Sequence, residues 1–236
     1  MKKNANLFYV LACIAAYLYG SIPLVYLLGL RSGVDLKHSG SGNVGVSNLA
    51  AEGGVWRTLI GGLFDASKGY LPIRISRRLG YPVQVAELAG VCGVIGQCWP
   101  VFLRFNGGRG FSSFLGASFI MNRRGWGIAM LPIIAGFLWH FFSSFKHQLH
   151  KPGDLLKSTH SKAVPFGCFL GALVFPFACF LNGRREGGQH LAPVLLSFII
   201  LGRRLTAPLP DDSIHGPARN KLALVYRLLY DRNTNR

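Results

Sequence analysis

The sequence predicts an all-α fold, a polytopic integral membrane bundle of about seven transmembrane helices. Half of its 236 residues are hydrophobic and only 15% are charged, a balance that soluble domains of this size rarely show. Apolar runs long enough to cross a bilayer recur along the chain. Gly, Pro and Lys/Arg clusters separate them.

The first predicted span lies near 7–29. Lys2 and Lys3 precede it as in a signal peptide, but Leu7 to Leu30 is long enough to cross a bilayer and lacks an A-x-A cleavage signal, so a retained helix is expected. The second, near 56–74, carries Asp65 and Lys68 three residues apart on one helical face, followed by Gly69 and Pro72. Further spans are expected near 84–103, 126–145 and 164–182, with two shorter ones near 110–121 and 190–202. Cys13, Cys92, Cys98, Cys168 and Cys179 all lie in apolar stretches without C-x-x-C pairing, the pattern of inert buried thiols.

The formal net charge of +17 suits anionic lipid headgroups or phosphorylated substrates. Nucleic acid is not an expected partner, because the charge is scattered through short loops and not gathered on one polar domain. With seven spans, one face collects Arg31, Lys37 and Arg57, then Arg104 and Arg109, then Lys146, Lys151, Lys157 and Lys162, and finally the basic tail. The opposite face holds Arg74, Arg77, Arg78, Arg123, Arg124, Arg184 and Arg185 besides the N-terminal lysines. The positive-inside rule places the richer face, with the C-terminus, in the cytoplasm.

Three features carry chemistry. In the loop His38 to Asn48, glycines let backbone N–H groups approach a ligand, while Ser and Asn side chains add donors for phosphate oxygens. Ser41, Gly42, Asn43, Gly45 and Asn48 are its candidate binding residues; a flexible polar loop is the alternative. The third span ends in Asn106-Gly107-Gly108-Arg109-Gly110 and runs into Phe111-Ser112-Ser113. Glycines opening a helix expose N–H groups at its positive end, and the Arg109 guanidinium can hold phosphate bidentately. Gly107, Gly108, Arg109, Gly110, Ser112 and Ser113 are therefore candidates, against a tight interfacial turn. Asp65 and Lys68, costly at membrane depth, face either a polar cavity or only each other.

The seven histidines form no cluster with carboxylates at metal-ligand spacing, so no metal is expected, and no cofactor is suggested. His140 lies in an aromatic span; His147, His150 and His160 share a loop with lysines. There is no G-x-S-x-G elbow and no H-x4-D signature.

Together these segments resemble the PlsY family, the integral-membrane acyl-phosphate:glycerol-3-phosphate acyltransferases, over most of residues 8 to 115. Gly20-Ser21-Ile22-Pro23 is similar to the family's GSIP, Ser39 to Asn48 to its GSGNxGxxN loop, Asp65-Ala66-Ser67-Lys68-Gly69 to its DxxKG, and Gly96 to Gly110 to its GHxxPVFxxFxGGKG. The resemblance implies transfer of a fatty acyl group from acyl phosphate to the 1-hydroxyl of glycerol 3-phosphate, giving 1-acyl-glycerol 3-phosphate for phospholipid biosynthesis. It implies no metal and no covalent intermediate, membrane lipids as surroundings, and an upstream enzyme that forms acyl phosphate. Ser41, Lys68 and Arg109 would be the catalytic set, with Asp65 shaping the pocket.

Residues 1–202 then read as a transmembrane acyltransferase-like domain of the cell membrane and 203–236 as a basic cytoplasmic C-terminal tail. The chain departs from the family pattern in four places. Ala51 stands where the family has Arg, Gln97 where it has His, and Arg109 where it has Lys. The C-terminal HRxNxxRL pattern survives as Arg203-Arg204-Leu205, with Phe198 and Leu201 at the His and Asn positions. His215 in the tail is a candidate replacement base. A catalytically reduced or silent paralogue and a transporter of a phosphorylated small molecule are the competing readings.

Overall fold

The computed structural model describes residues 2–150, 163–182 and 191–206. Lys151, Lys157, His160, Lys162, Arg184, Arg185 and the tail beyond Thr206, with His215, lie outside the described residues. Among the described residues all long regular elements are helices: α1 (Lys2–Gly20), α2 (Leu24–Leu30), α3 (Val46–Glu52), α4 (Val55–Arg78), α5 (Val83–Cys98), α6 (Phe111–Met121), α7 (Arg123–His150), α8 (Ala163–Leu181) and α9 (Leu191–Thr206). Each of the seven expected spans coincides with one of these helices or with the α1–α2 pair.

Among the described residues, four segments are long and apolar enough to cross a membrane: Asn6–Leu30, Val83–Leu103, Arg123–Ser143 and Ala163–Leu181. α4 is long enough, but Asp65, Lys68 and its arginines lower its apolarity. α6 has 11 residues and α9 has 16. At a rise of about 1.5 Å per residue α6 reaches only about half of a hydrocarbon core of about 30 Å.

The first span is broken where one continuous helix is expected. Pro23, which has no N–H to continue an α-helical ladder, caps α2 at φ −90°. The break is tied to the end of α5: the Tyr17 hydroxyl donates to the Trp99 carbonyl at 2.9 Å and the Val101 N–H to Ser21 Oγ at 3.4 Å.

The core lies among α4, α5, α6, α7, α8 and α9, where Ile73, Val94, Phe114, Ala129, Phe175 and Leu196 are buried together. Polar groups seal its far end. Arg77 on α4 donates to the Ile120 carbonyl on α6 at 3.1 Å and pairs at 3.5 Å with Glu87 on α5, which is fully buried. Small residues bring the helices close. Pro72 offers no N–H to the Lys68 carbonyl, and Gly93 of α5 packs against that carbonyl so closely that a Cβ there would overlap it. The outward faces carry Leu63, Leu131, Phe137, Phe141 and Phe177, all well exposed, as expected for side chains facing lipid.

Candidate active site

Four segments converge on one end of the bundle: the loop after α2, the loop after α5, the start of α8 and the end of α9. Of the segments that the charge pattern assigns to one face, those after the first, third and seventh spans meet here, beside the start of α8; residues 151–162, after the fifth, lie outside the described residues.

The first loop is built around Asn48, which is completely buried. Its Nδ2 donates to the carbonyls of Leu36 and Ser39 at 3.0 Å, and its Oδ1 accepts from the Ser41 N–H at 3.0 Å. Expected to touch phosphate, Asn48 has its polar atoms aimed at its own loop. Its effect is to fix Ser41. Gly42, at φ +67°, carries the chain into Asn43, and Gly45 caps α3, a short helix inside what reads as a plain loop.

The second loop leaves α5 through a 3₁₀ turn, Val101–Leu103. Arg104 and Phe105 follow in left-handed conformation at φ 53° and 62°, a strain of about 1–2 kcal/mol per residue for side chains of this size. Such strain persists only where the surroundings hold it. The Phe105 N–H to the Pro100 carbonyl at 2.9 Å is one such hold. Arg203 of α9 supplies the other: Nε donates to the Gly108 carbonyl at 3.1 Å and Nη2 to the Gly107 carbonyl at 2.8 Å, with the guanidinium over the Trp99 ring. Gly110, at φ +72°, caps α6, and a side chain there would strike Cys98 Sγ.

Beneath the loops lies a closed triangle. Lys68 and Asp65, only 1% and 2% exposed, pair at 2.9 Å. Gln97 of α5 bridges them, accepting from Lys68 Nζ at Oε1 and donating from Nε2 to Asp65 Oδ2 at 2.8 Å. The i,i+3 pair follows from sequence spacing; Gln97, 29 residues from Lys68 in the chain, adds a third member that spacing does not reveal. Ser113 spends its hydroxyl on the Asp65 carbonyl at 2.6 Å, so it clamps α6 to α4 and does not face an open site.

Two cavities result. One, of about 270 Å³, is lined by Lys37, Ser41, Gly42, Asn43, Asn106, Gly107, Arg109 and Arg203 among others. The other, of about 110 Å³, has Asn43, Gly45, Asp65, Gln97, Arg109, Gly110, Ser112 and Arg204 on its polar side and Phe111, Val164, Pro165 and Ile200 on its apolar side. Asn43 and Arg109 line both. Lys68 lines neither; it faces a narrow cleft beside Gly107 and Gly108. The candidate catalytic set is therefore split, with Ser41 and Arg109 on one cavity and Lys68 behind Asp65 and Gln97.

The charge of the site is positive. Lys37, Arg109, Arg203 and Arg204 line the cavities, and Asp65, their one carboxylate among the described residues, is already matched by Lys68. Burial, together with the charges of Arg204 and Arg203, lowers the Arg109 pKa to about 10. Arg109 stays protonated at neutral pH, and an entering anion relieves the repulsion that depresses it.

Sequence reasoning did not pick out Lys37, Asn106, Ser47 or the inward role of Arg203 and Arg204. The two α9 arginines carried a signal, since charged residues at the end of an apolar run usually face protein or water. Phe198, at one altered family position, is 68% exposed and turned away from the cavities, whereas Ile200, Arg203 and Arg204 face them.

A lipid-facing helical bundle with a cationic, glycine-lined double cavity at one end defines an integral membrane protein that handles anions. The chain belongs to the glycerol-3-phosphate acyltransferase family: the family model described as Glycerol-3-phosphate acyltransferase matches residues 10–205. "Glycerol-3-phosphate acyltransferase 5" of Dehalococcoides mccartyi is 34% identical over 97% of this chain and 90% of its own length. The Geotalea daltonii glycerol-3-phosphate acyltransferase is 36% identical over 66% of this chain and 76% of its own length. The fold is that of the crystal structure of PlsY, an integral membrane glycerol 3-phosphate acyltransferase, in its glycerol 3-phosphate form, with TM-score 0.68 and 24% identity over 83% of this chain and 88% of that one. Its lysophosphatidic acid form matches with TM-score 0.66.

Proposed function

We propose that this acyltransferase moves a fatty acyl group from acyl phosphate to the 1-hydroxyl of glycerol 3-phosphate, at the cytoplasmic face of the cell membrane. The observation that carries this reading is the pair of cavities that share Asn43 and Arg109. Two phosphorylated substrates can then meet at one cation.

The more polar cavity suits glycerol 3-phosphate, with Lys37, Arg109 and Arg203 for the phosphate and Ser41, Asn43 and Asn106 for the hydroxyls. The partly apolar cavity, with Arg204 and Ser112 opposite Phe111, Val164 and Ile200, suits the acyl phosphate and the first carbons of its chain. Acyl phosphate is a mixed anhydride and already activated. The 1-hydroxyl attacks its carbonyl carbon, negative charge collects on the carbonyl oxygen, and the phosphate leaves with the bonding pair. Positioning and charge stabilisation are what the protein supplies. Asp65 is held by Lys68 and Gln97, so the hydroxyl proton passes to the departing phosphate. An enzyme that makes acyl phosphate upstream is implied by the donor.

Purified protein in detergent or lipid, given both substrates, should form 1-acyl-glycerol 3-phosphate. Arg109→Ala should lower kcat/KM by about 10²–10³, the cost of removing one donor from developing charge. No product above an empty-membrane control would overturn the reading.

A further inference from the structure

Gln97 touches no open substrate position by its hydrogen bonds, yet it stands where the site's charges are sorted. Among the described residues its amide alone donates to Asp65 Oδ2, and it also accepts from Lys68. It lines the smaller cavity together with Asp65, Arg109 and Arg204. Its Nε2 lies 3.2 Å from where a side chain on Gly108 would begin, so it also backs the glycine loop.

We propose that Gln97 is a positioning residue for anion binding: it holds the Asp65 carboxylate on Lys68 and off the arginines of the same cavity. A buried carboxylate oxygen that loses its donor must find another. The cations of the same lining are Arg109 and Arg204, and a carboxylate turned toward them would occupy the place of a substrate phosphate. An amide fits this task because it donates to the acid and accepts from the base at once. It has no ionisation of its own, so the sorting holds across the working pH range. This proposal rests on the anion-site reading above and adds the device that keeps that site open.

The test is binding and kinetics on full-length protein in detergent. Gln97→Glu keeps the shape but replaces the donor with an acceptor, Gln97→Leu removes both hydrogen bonds, and Gln97→His retains one donor and one acceptor. The first two should raise the KM and the calorimetric Kd for glycerol 3-phosphate by at least about tenfold, with kcat falling less, the pattern of lost ground-state binding. Gln97→His should stay within about threefold of the native KM. If Gln97→Leu does not fold, Gln97→Glu alone decides. Unchanged KM and Kd in a folded Gln97→Glu protein, or a loss confined to thermal stability, overturns the proposal. A native protein that neither binds glycerol 3-phosphate nor forms product overturns the anion-site reading instead.

Discussion

At the scale of the residue, polar side chains in this protein divide into those that face a cavity and those that hold the cavity's walls. Asn48 and Ser113 read as ligand contacts because Asn and Ser suit phosphate; their hydrogen bonds run instead to Leu36, Ser39, Ser41 and the Asp65 carbonyl. Spacing within a loop does not tell whether a side chain turns inward to its own backbone or outward to a ligand. Lys68 shows the same ambiguity with larger stakes. Its ammonium is matched to Asp65 and Gln97 at 1% exposure, so its removal strands a buried carboxylate. Lys68→Met should cost about 3–5 kcal/mol of stability, the usual penalty for breaking a buried pair from one side. A fall in thermal midpoint of the purified protein checks this. An unchanged midpoint with activity lost would show Lys68 to be catalytic and not structural.

At the scale of the element, the spanning helices were legible because each is a largely apolar run ended by Gly, Pro or charge. The joints between them were not. The break at Pro23 and the short α3 inside the first loop depend on contacts with α5 and the buried Asn48. The close approach of α4 and α5 depends on Gly93 meeting the carbonyl that Pro72 leaves without an intrahelical donor. Gly93→Leu should drive these helices apart and cost about 1–3 kcal/mol or more, as overpacking does. Because Lys68 and Gln97 sit on the two helices concerned, activity should fall along with the unfolding temperature. A Leu variant with native stability would mean that the helices separate without resistance.

At the scale of the whole molecule, the alternation of seven spans requires the segments after the odd-numbered ones to share a face, and among the described residues those after the first, third and seventh meet around the two cavities. By the positive-inside rule, we propose that this face, with its excess of Lys and Arg, is the cytoplasmic one. On a cysteine-free background, His38→Cys at the site face should react with a membrane-impermeant maleimide only from the cytoplasmic side. Arg124→Cys, at the opposite end, should react only from outside. Reaction of both from one side would refute the odd-even arrangement. The sequence by itself determined the helical membrane fold, the approximate spans, and the family through its four ordered motifs, because burial in lipid and tight glycine turns constrain composition locally. Only the tertiary structure decided that Arg203 and Arg204 join Arg109, that Gln97 completes the Asp65 and Lys68 pair, and that Lys68 lies behind the cavity wall. Those relations join segments as many as 96 residues apart in the chain, and no local pattern records which distant segments will meet.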